Sequence, residues 1–435
     1  MASKKYNVAL LGSVTAAAMM AAGPVLADEV SDLKAQIEAL SQKVQQIETQ
    51  QAQPAVIPAN VVTGGDFGGS YKLPGSNTSW KFGGYVKLDA IYDFDQQAGD
   101  QSGGIVEDSL TTPVDQDTGH FQMSVRQTRF SWDSRTATEE LGSVRAYLEM
   151  DFNDSDSATE TVSNSHNPRL RQGYVSFGAW RFGQSWSTYH DLGAFAESID
   201  FGGPVGGILM RQAEIRYTTK IGGNSLNLAI ANPQNRIGGG TSTSGERDRL
   251  PDFIGRISRG GDWGHVSLAG VVEYMTAETG EAGGGTDDNA VGWALSLGGR
   301  INTMGKDNFR WQVNGGDGSQ RYGPLEAVNQ GANNVYDTAT NKIDTVKSVG
   351  GYMAYQHHWN SKWRSNLILG GWRANNPGAA ANTVGKNSES LHANVIFNAT
   401  SKTNIGLEYQ IKSATAENGD TGTMSRLQFM VQHSF

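Results

Sequence analysis

Residues 143–152 read SVRAYLEMDF. Successive side chains of a strand point to opposite faces, so Val144, Ala146, Leu148, Met150 and Phe152 share one side and Arg145, Tyr147, Glu149 and Asp151 the other. In a soluble sandwich the apolar set would face a core and the charged set bulk water. In a closed barrel set in lipid the directions invert, and the charged set lines a lumen. The rest of the chain decides between the two.

Period-two alternation persists from Trp80 to Phe435. It predicts strands at 80–94, 120–132, 143–153, 170–178, 180–186, 211–219, 224–232 and 252–259, then at 263–275, 290–302, 307–315, 346–358, 362–373, 388–398, 403–413 and 423–435, sixteen in all. The connections alternate in length. Gly178-Ala179, Lys220 to Gly223, Gly260 to Asp262, Asn360-Ser361 and Ser401-Lys402 are short, whereas Asp95 to Gly119, Asp154 to Asn167, Ser187 to Met210, Pro233 to Pro251, Thr276 to Asp288, Gly315 to Thr345, Ala374 to Ser388 and Ala414 to Gly422 are long. A sandwich has no reason to sort loop length by parity. An outer-membrane barrel has one, because its turns on one side are tight and its loops on the other are long. The predicted fold is all-β, a 16-stranded antiparallel transmembrane β-barrel over residues 80–435. The final stretch RLQFMVQHSF puts Leu427, Phe429, Val431, His433 and Phe435 on one face and ends on an aromatic carboxyl terminus. Trp80 and Phe82 opposite Phe94, and Trp359 and Trp363 across a turn, fit interfacial girdles.

Composition agrees. The 435 residues include 55 glycines and no cysteine, and 37% are hydrophobic, too few for a bundle of membrane helices. Lys4 and Lys5, an apolar run from Val8 to Ala22 and Val25-Leu26-Ala27 read as a signal peptide over residues 1–27, cleaved before Asp28. Losing those two lysines takes the net charge from −9 to −11, which argues against nucleic acid as a partner. Beyond the leader, Val30, Leu33, Ile37, Leu40, Val44 and Ile47 are spaced 3, 4, 3, 4, 3. That is a heptad seam, and it predicts a short α-helical coiled coil in the periplasm over residues 28–53; a single amphipathic helix lying on a surface is the alternative. Residues 54–79, with Pro54, Pro58, Pro74 and GGDFGGS at 64–70, read as an extended linker without a core.

One long connection differs from the others. Residues 187–210, STYHDLGAFAESIDFGGPVGGILM, interrupt three alternating stretches that each carry arginine: RQGYVSFGAW (171–180), RFGQSW (181–186) and RQAEIRYTTK (211–220). The expectation is a constriction loop folded into the lumen. Parity turns Arg145, Arg181 and Arg216 inward, with Arg256, Arg300, Arg310 and Arg364 further on; Arg126, Arg129, Arg171 and Arg211 sit where the alternation is irregular. Such a set lowers the cost of admitting anions where water is scarce, and a planar guanidinium matches a carboxylate in a bidentate way. Any polar lumen also holds arginines balanced by acids such as Glu149, Asp151, Glu214 and Glu408, which is the plain alternative. Asp191, Glu197 and Asp200 in the loop are expected to face the arginines and set a transverse field across the constriction.

Other chemistry finds no support. His357 and His358 are adjacent on a strand and point apart, so they cannot share a metal. The glycine pairs at 202–203 and 206–207 lack the Lys-Ser/Thr and helix of a phosphate loop. No nucleophile motif occurs, and neither an enzyme nor a cofactor is expected.

The runs VRQTRFSWDS (125–134), RQGYVSF (171–177), FGQSW (182–186) and LMRQAEIRYT (209–218), with the heptads and the proline-containing linker before them, resemble the DcaP-like outer-membrane channels. The resemblance spans essentially the mature chain. It implies a homotrimer of sixteen-stranded barrels in the bacterial outer membrane, a periplasmic coiled coil and uptake of small dicarboxylates, aromatic ones included. It attaches substrate contact to Arg126, Arg129, Arg171, Arg181, Arg211 and Arg216. Two other functions stay open: an unselective or cation-leaning general porin, and a structural anchor whose coiled coil contacts peptidoglycan.

Overall fold

The computed structural model describes residues 25–52, 61–95, 119–153, 162–234, 237–238, 243–246, 248–279, 287–324 and 333–435. Most of the expected leader, residue 53 of the heptad segment, residues 54–60 of the linker and parts of five long connections lie outside the described residues. Two compact units divide near Val61 and Val62.

The first unit contains helix α1, Val25–Ala52. It covers the expected heptad segment, and Leu33, Ile37, Leu40 and Val44 along the seam are all exposed.

The second unit is a closed antiparallel barrel of sixteen strands. They are β1 Thr78–Asp93, β2 in two pieces (His120–Ser124 and Arg129–Thr138), β3 Gly142–Asp151, β4 Arg169–Phe177, β5 Trp180–Trp186, β6 Arg211–Ile221, β7 Asn224–Ala231 and β8 Asp252–Gly261. The second half comprises β9 Gly264–Thr279, β10 Asp288–Asn302, β11 Asn308–Asp317, β12 Lys347–His358, β13 Trp363–Asn375, β14 Gly385–Asn398, β15 Thr403–Ala416 and β16 Thr421–Ser434. Each pairs with its neighbour in sequence, and β16 returns to β1 in a register running from Arg426↔Asp93 to Ser434↔Tyr85. Closure leaves no edge strand and pairs the backbone polar groups between strands.

The faces are inverted relative to a water-soluble core. On β1, Val86 is 53% exposed on the outside and Lys87 is 5% exposed on the inside. On β16, Phe429 faces out while Arg426 and Gln428 are buried. Apolar residues such as Phe121, Ile215, Leu268, Val313 and Leu367 continue this outer band around the barrel.

Three details depart from the expected pattern. The second strand is not one run, because residues 125–128 bulge out of the ladder between its pieces, closed by a bond from Thr128 N to Val125 O of 2.9 Å. Opposite that break, Gly84 adopts φ +143, and a Cβ there would lie 2.1 Å from the Arg129 carbonyl oxygen, so a side chain does not fit. Secondly, the end of the expected linker folds onto the barrel. Thr63 and Gly64 pair with Lys72 and Tyr71, Tyr71 pairs with Trp80, and Phe67 lies 4.0 Å from the Arg135 guanidinium. Asp66 N donates to the Ser79 hydroxyl at 2.9 Å, so the polar groups of this glycine-rich turn are met by the barrel. Thirdly, the expected long connection after β11 is partly structured. It holds a 3-10 turn at Gln320–Tyr322 and a hairpin of Asn334–Asp337 with Lys342–Asp344.

Substituting Gly84→Val should block the seam between β1 and β2. The fraction of chains that migrate as folded barrel in unheated detergent gels is expected to fall sharply, and parent-like migration would show that the seam tolerates a side chain.

Candidate functional site

Residues Ser187–Met210 lie inside the barrel. The loop is tied at its roots by Ser187 N to Met210 O at 3.0 Å and by Thr188 N to the Glu214 carboxylate at 3.1 Å. From there it crosses the inner faces of β8 to β16 and β1. A loop in such a place must have its backbone polar groups satisfied by the wall. The wall supplies them: Tyr352 donates to Ala194 O at 3.0 Å, Arg310 to Phe195 O at 2.7 Å, Lys87 to Ile199 O at 3.0 Å and Asn314 to Gly206 O at 2.9 Å. Arg256 donates to His190 O. Glu408 receives three bonds from the loop, from the Ser198 hydroxyl at 2.8 Å and from the amides of Ile199 at 2.9 Å and Asp200 at 3.2 Å.

Apolar contacts complete the seat. Tyr189, Ile208 and Met210 pack on Ala229, Ile254, Val271 and Ala294 from the inner wall, and Tyr322 from the 3-10 turn joins them. Ile199 packs on Ile396 and Met430. Here the rule that inward residues are polar fails, because this inner surface is covered by the loop and not by water. Close approach requires glycine at one place: a Cβ on Gly370 would lie 2.0 Å from Val205 O. Gly206, at φ +85, would bring a Cβ to 2.4 Å from Gly351 O. The paired glycines at 350–351 and 370–371 were the sequence signal for this contact, and alternation alone did not read it.

The three loop acids do not form an acidic rim opposite the arginines. Asp191 accepts from His265 at 2.9 Å and from the Ser267 hydroxyl at 2.6 Å. Burial acts to raise its pKa, but these bonds hold it well below the usual carboxylate range. Glu197 is gripped in bidentate fashion by Arg364 at 2.8 and 2.7 Å, which also lowers its pKa against the effect of burial. Asp200 sits 4.0 Å from Arg426, yet burial pushes it up to about 7. Each acid thus meets its own partner on the wall where the loop rests, and of the three only Glu197 is held by an arginine of that wall in a close ion pair. Arg256, Arg310 and Arg364 serve as clamps of the loop.

Of the remaining inward candidates, Arg300 lies on β10 opposite Arg310, and the others lie on the stretch of wall from β2 to β6. Register sets Arg135 opposite Arg145, Ser176 opposite Arg181, and Arg181 opposite Arg216. Arg145 pairs with Asp133 at 2.9 Å and Arg216 with Glu214. Arg181 stacks 4.4 Å from the Tyr174 ring, and among the described residues it has no carboxylate within ion-pair distance. Arg171 owes its direction to a bulge: Glu149 pairs with Gln172 and Met150 with Leu170, so Arg171 is unopposed and turns inward. It bonds Glu149 at 2.9 Å and Asp151 at 2.5 Å. Arg126 is buried on the same parity as Gln122 and Ser124, and Arg129 lies 3.6 Å from Glu149. Arg211 stacks over Trp186 at 5.3 Å and likewise has no described carboxylate in ion-pair range. Sequence reading missed Arg169, which grips Asp151 at 3.0 Å and, with Arg171, lies 5.7 Å from the Phe201 ring of the loop. The candidate residues thus meet in one lumen, in two groups: clamps under the loop, and a row with part of its charge uncompensated.

The buried acid Asp200 makes the seating of the loop depend on pH. Its pKa rises from 3.8 to about 7 on folding, so its contribution is fully present below pH 3.8 and is lost as pH climbs to about 7. His190 acts in the opposite sense, because burial lowers its pKa to about 4, and comparison with the parent cancels that effect. The gain in thermal midpoint of Asp200→Asn over the parent is therefore expected to be larger at pH 8 than at pH 4. An equal gain at both would show that Asp200 is not held with a raised pKa.

Comparison with known proteins agrees with this architecture. No curated protein matches the sequence significantly. Among solved structures, the outer membrane channel DcaP of Acinetobacter baumannii is similar with a TM-score of 0.69 and 20% identity, over 82% of this chain and 98% of that one. The anion-selective porin from Comamonas acidovorans has a TM-score of 0.54 and 12% identity, over 82% and 100%. The outer-membrane expressed OmpT of Vibrio cholerae has a TM-score of 0.53 and 10% identity, over 83% and 99%. Identities this low speak for the fold alone. The Porin subfamily profile, however, matches residues 63–429, most of the chain, and the protein accordingly belongs to the porin family of outer-membrane channels.

Proposed function

We propose that this porin is a homotrimeric channel for passive diffusion that favours small carboxylate anions, dicarboxylates included. The observation that carries the reading is positive charge in the lumen that has no ion-pair partner among the described residues. Loop acids are consumed by the wall beneath them, while Arg181 and Arg211 keep no ion-pair partner among the described residues on the side the loop leaves open. In a narrow lumen with low-dielectric walls, such charges attract anions and repel cations more strongly than in bulk water. The guanidinium fork favours carboxylate geometry. Phe201 beside Arg169 and Arg171, and Trp186 beside Arg211, add flat apolar surfaces suited to an aromatic acid. Diffusion follows the gradient and draws on no cofactor.

The outer apolar band supports a lipid setting, and tight turns at one end with long loops at the other support periplasmic placement of the turns. Assembly rests on two supports. The heptad seam of α1 is exposed in the single chain, and one similar fold, OmpT of Vibrio cholerae, is described in a trimer form. A coiled coil of about three heptads is marginal alone, so it would add to contacts between barrels.

The net charge of −9 keeps a second reading in view, a general or cation-leaning porin. Reversal potential in a potassium chloride gradient across a planar bilayer separates the two, since preference for potassium would sink the first. Replacing Arg181 by Ala should lower the anion-to-cation permeability ratio about two- to fivefold, the factor for roughly 0.5–1 kcal/mol of Coulomb attraction in a wet lumen. Ile37→Asp combined with Leu40→Asp is expected to lower the temperature at which trimers dissociate in detergent while conductance per barrel survives. Unchanged dissociation would remove the helix from the assembly.

A further inference from the structure

A polar cavity of about 480 Å³ lies at the short-turn end of the barrel, between the β12–β13 and β14–β15 turns. Its walls include Ser361 and Lys362 from the turn between β12 and β13, Arg364 from β13, Asn398 at the end of β14, and Thr400 and Asn404 from the next turn and strand. Among the described residues no carboxylate lines it. Arg364 presents two nitrogens to Glu197 in the constriction loop and the third to the side-chain oxygen of Asn398. A guanidinium only donates, so Asn398 must accept through its oxygen, which leaves its amide nitrogen as a donor toward the cavity. Among the described residues Lys362 has no carboxylate within ion-pair distance of its ammonium. The cavity therefore offers one uncompensated cation, an amide donor and hydroxyls, and it shares Arg364 with the loop that narrows the lumen.

We propose that this cavity is a carboxylate-binding station on the outlet side of the constriction, with Lys362 and Asn398 holding the ligand against Arg364. The proposal deepens the anion-channel reading and rests on it. A carboxylate seated there competes with Glu197 for Arg364, so the station couples a departing anion to one clamp of the constriction loop. It also makes binding sided, since the cavity opens at the short-turn end.

The test uses the full-length protein in a planar bilayer, with succinate as the probe added on the short-turn side. Block by succinate is expected to have about a tenfold shorter dwell in Lys362→Gln than in the parent, the factor equivalent to about 1.4 kcal/mol. Asn398→Asp, which sets a carboxylate beside the ligand, should shorten it as well. Lys402→Gln removes the same charge from the neighbouring turn outside the cavity and should leave the dwell unchanged. Parent-like dwell in Lys362→Gln, or an equal loss in Lys402→Gln, overturns the station while the reversal potential of the parent still reports anion preference. A parent that prefers cations overturns the channel reading and the station together.

Discussion

The barrel depends on closure of its last strand on its first. Asp93 and Arg426 face each other at the head of that register, both fully buried, with guanidinium and carboxylate 2.5 and 3.0 Å apart. Gln428 bonds Asp89 at 2.9 Å, and Lys87 lies 3.1 Å from the same carboxylate. Such charges are costly to take out of water unless each finds a partner, so the seam is specified by polar pairing and not by apolar burial. The pairing exists only when the register is right. A slip by one residue would turn every one of these groups toward the outer apolar face.

The same seam holds the loop Ser187–Met210. Lys87 pairs with Asp89 and also donates to Ile199 O, while Asp200 beside it approaches Arg426. Closing the barrel and seating the loop are in this sense one event, because the groups that satisfy the seam also satisfy the loop backbone. Loop and wall then divide the arginines into two uses. Under the loop Arg364 is neutralised by Glu197 while Arg256 and Arg310 hold loop carbonyls, and on the wall opposite Arg181 and Arg211 have no ion-pair partner among the described residues. In the function proposed for this channel, selectivity would come from what the loop leaves uncovered, and overall acidity of the chain would then be a poor guide to it.

Much of this was legible beforehand. Strand number, the β5 limits at Trp180 and Trp186 and the parity of connections follow from alternation, which each strand carries within its own few residues. Placing the loop between β5 and β6 followed from counting. The break in β2, the bulge that turns Arg171 inward and the fold-back of residues 63–77 were not legible, since each is settled by a partner strand distant in sequence. Nor was Tyr322, which enters the lumen from another connection and donates to Asp252 at 2.7 Å. The partners of the three loop acids were not legible either: parity says that a group faces inward, and nothing in it says toward which wall.

By itself the sequence determined a closed, inside-polar barrel with one loop that lacks strand character, because the side chain's choice of face is a local property with period two. Only the tertiary structure decided which charges cancel. Arg364 meets Glu197 across 167 positions and Glu408 meets the Asp200 amide across 208, and such meetings depend on the register of every intervening strand. Residual charge in the lumen is the difference between pairs made and pairs left unmade, and that difference is defined only in three dimensions.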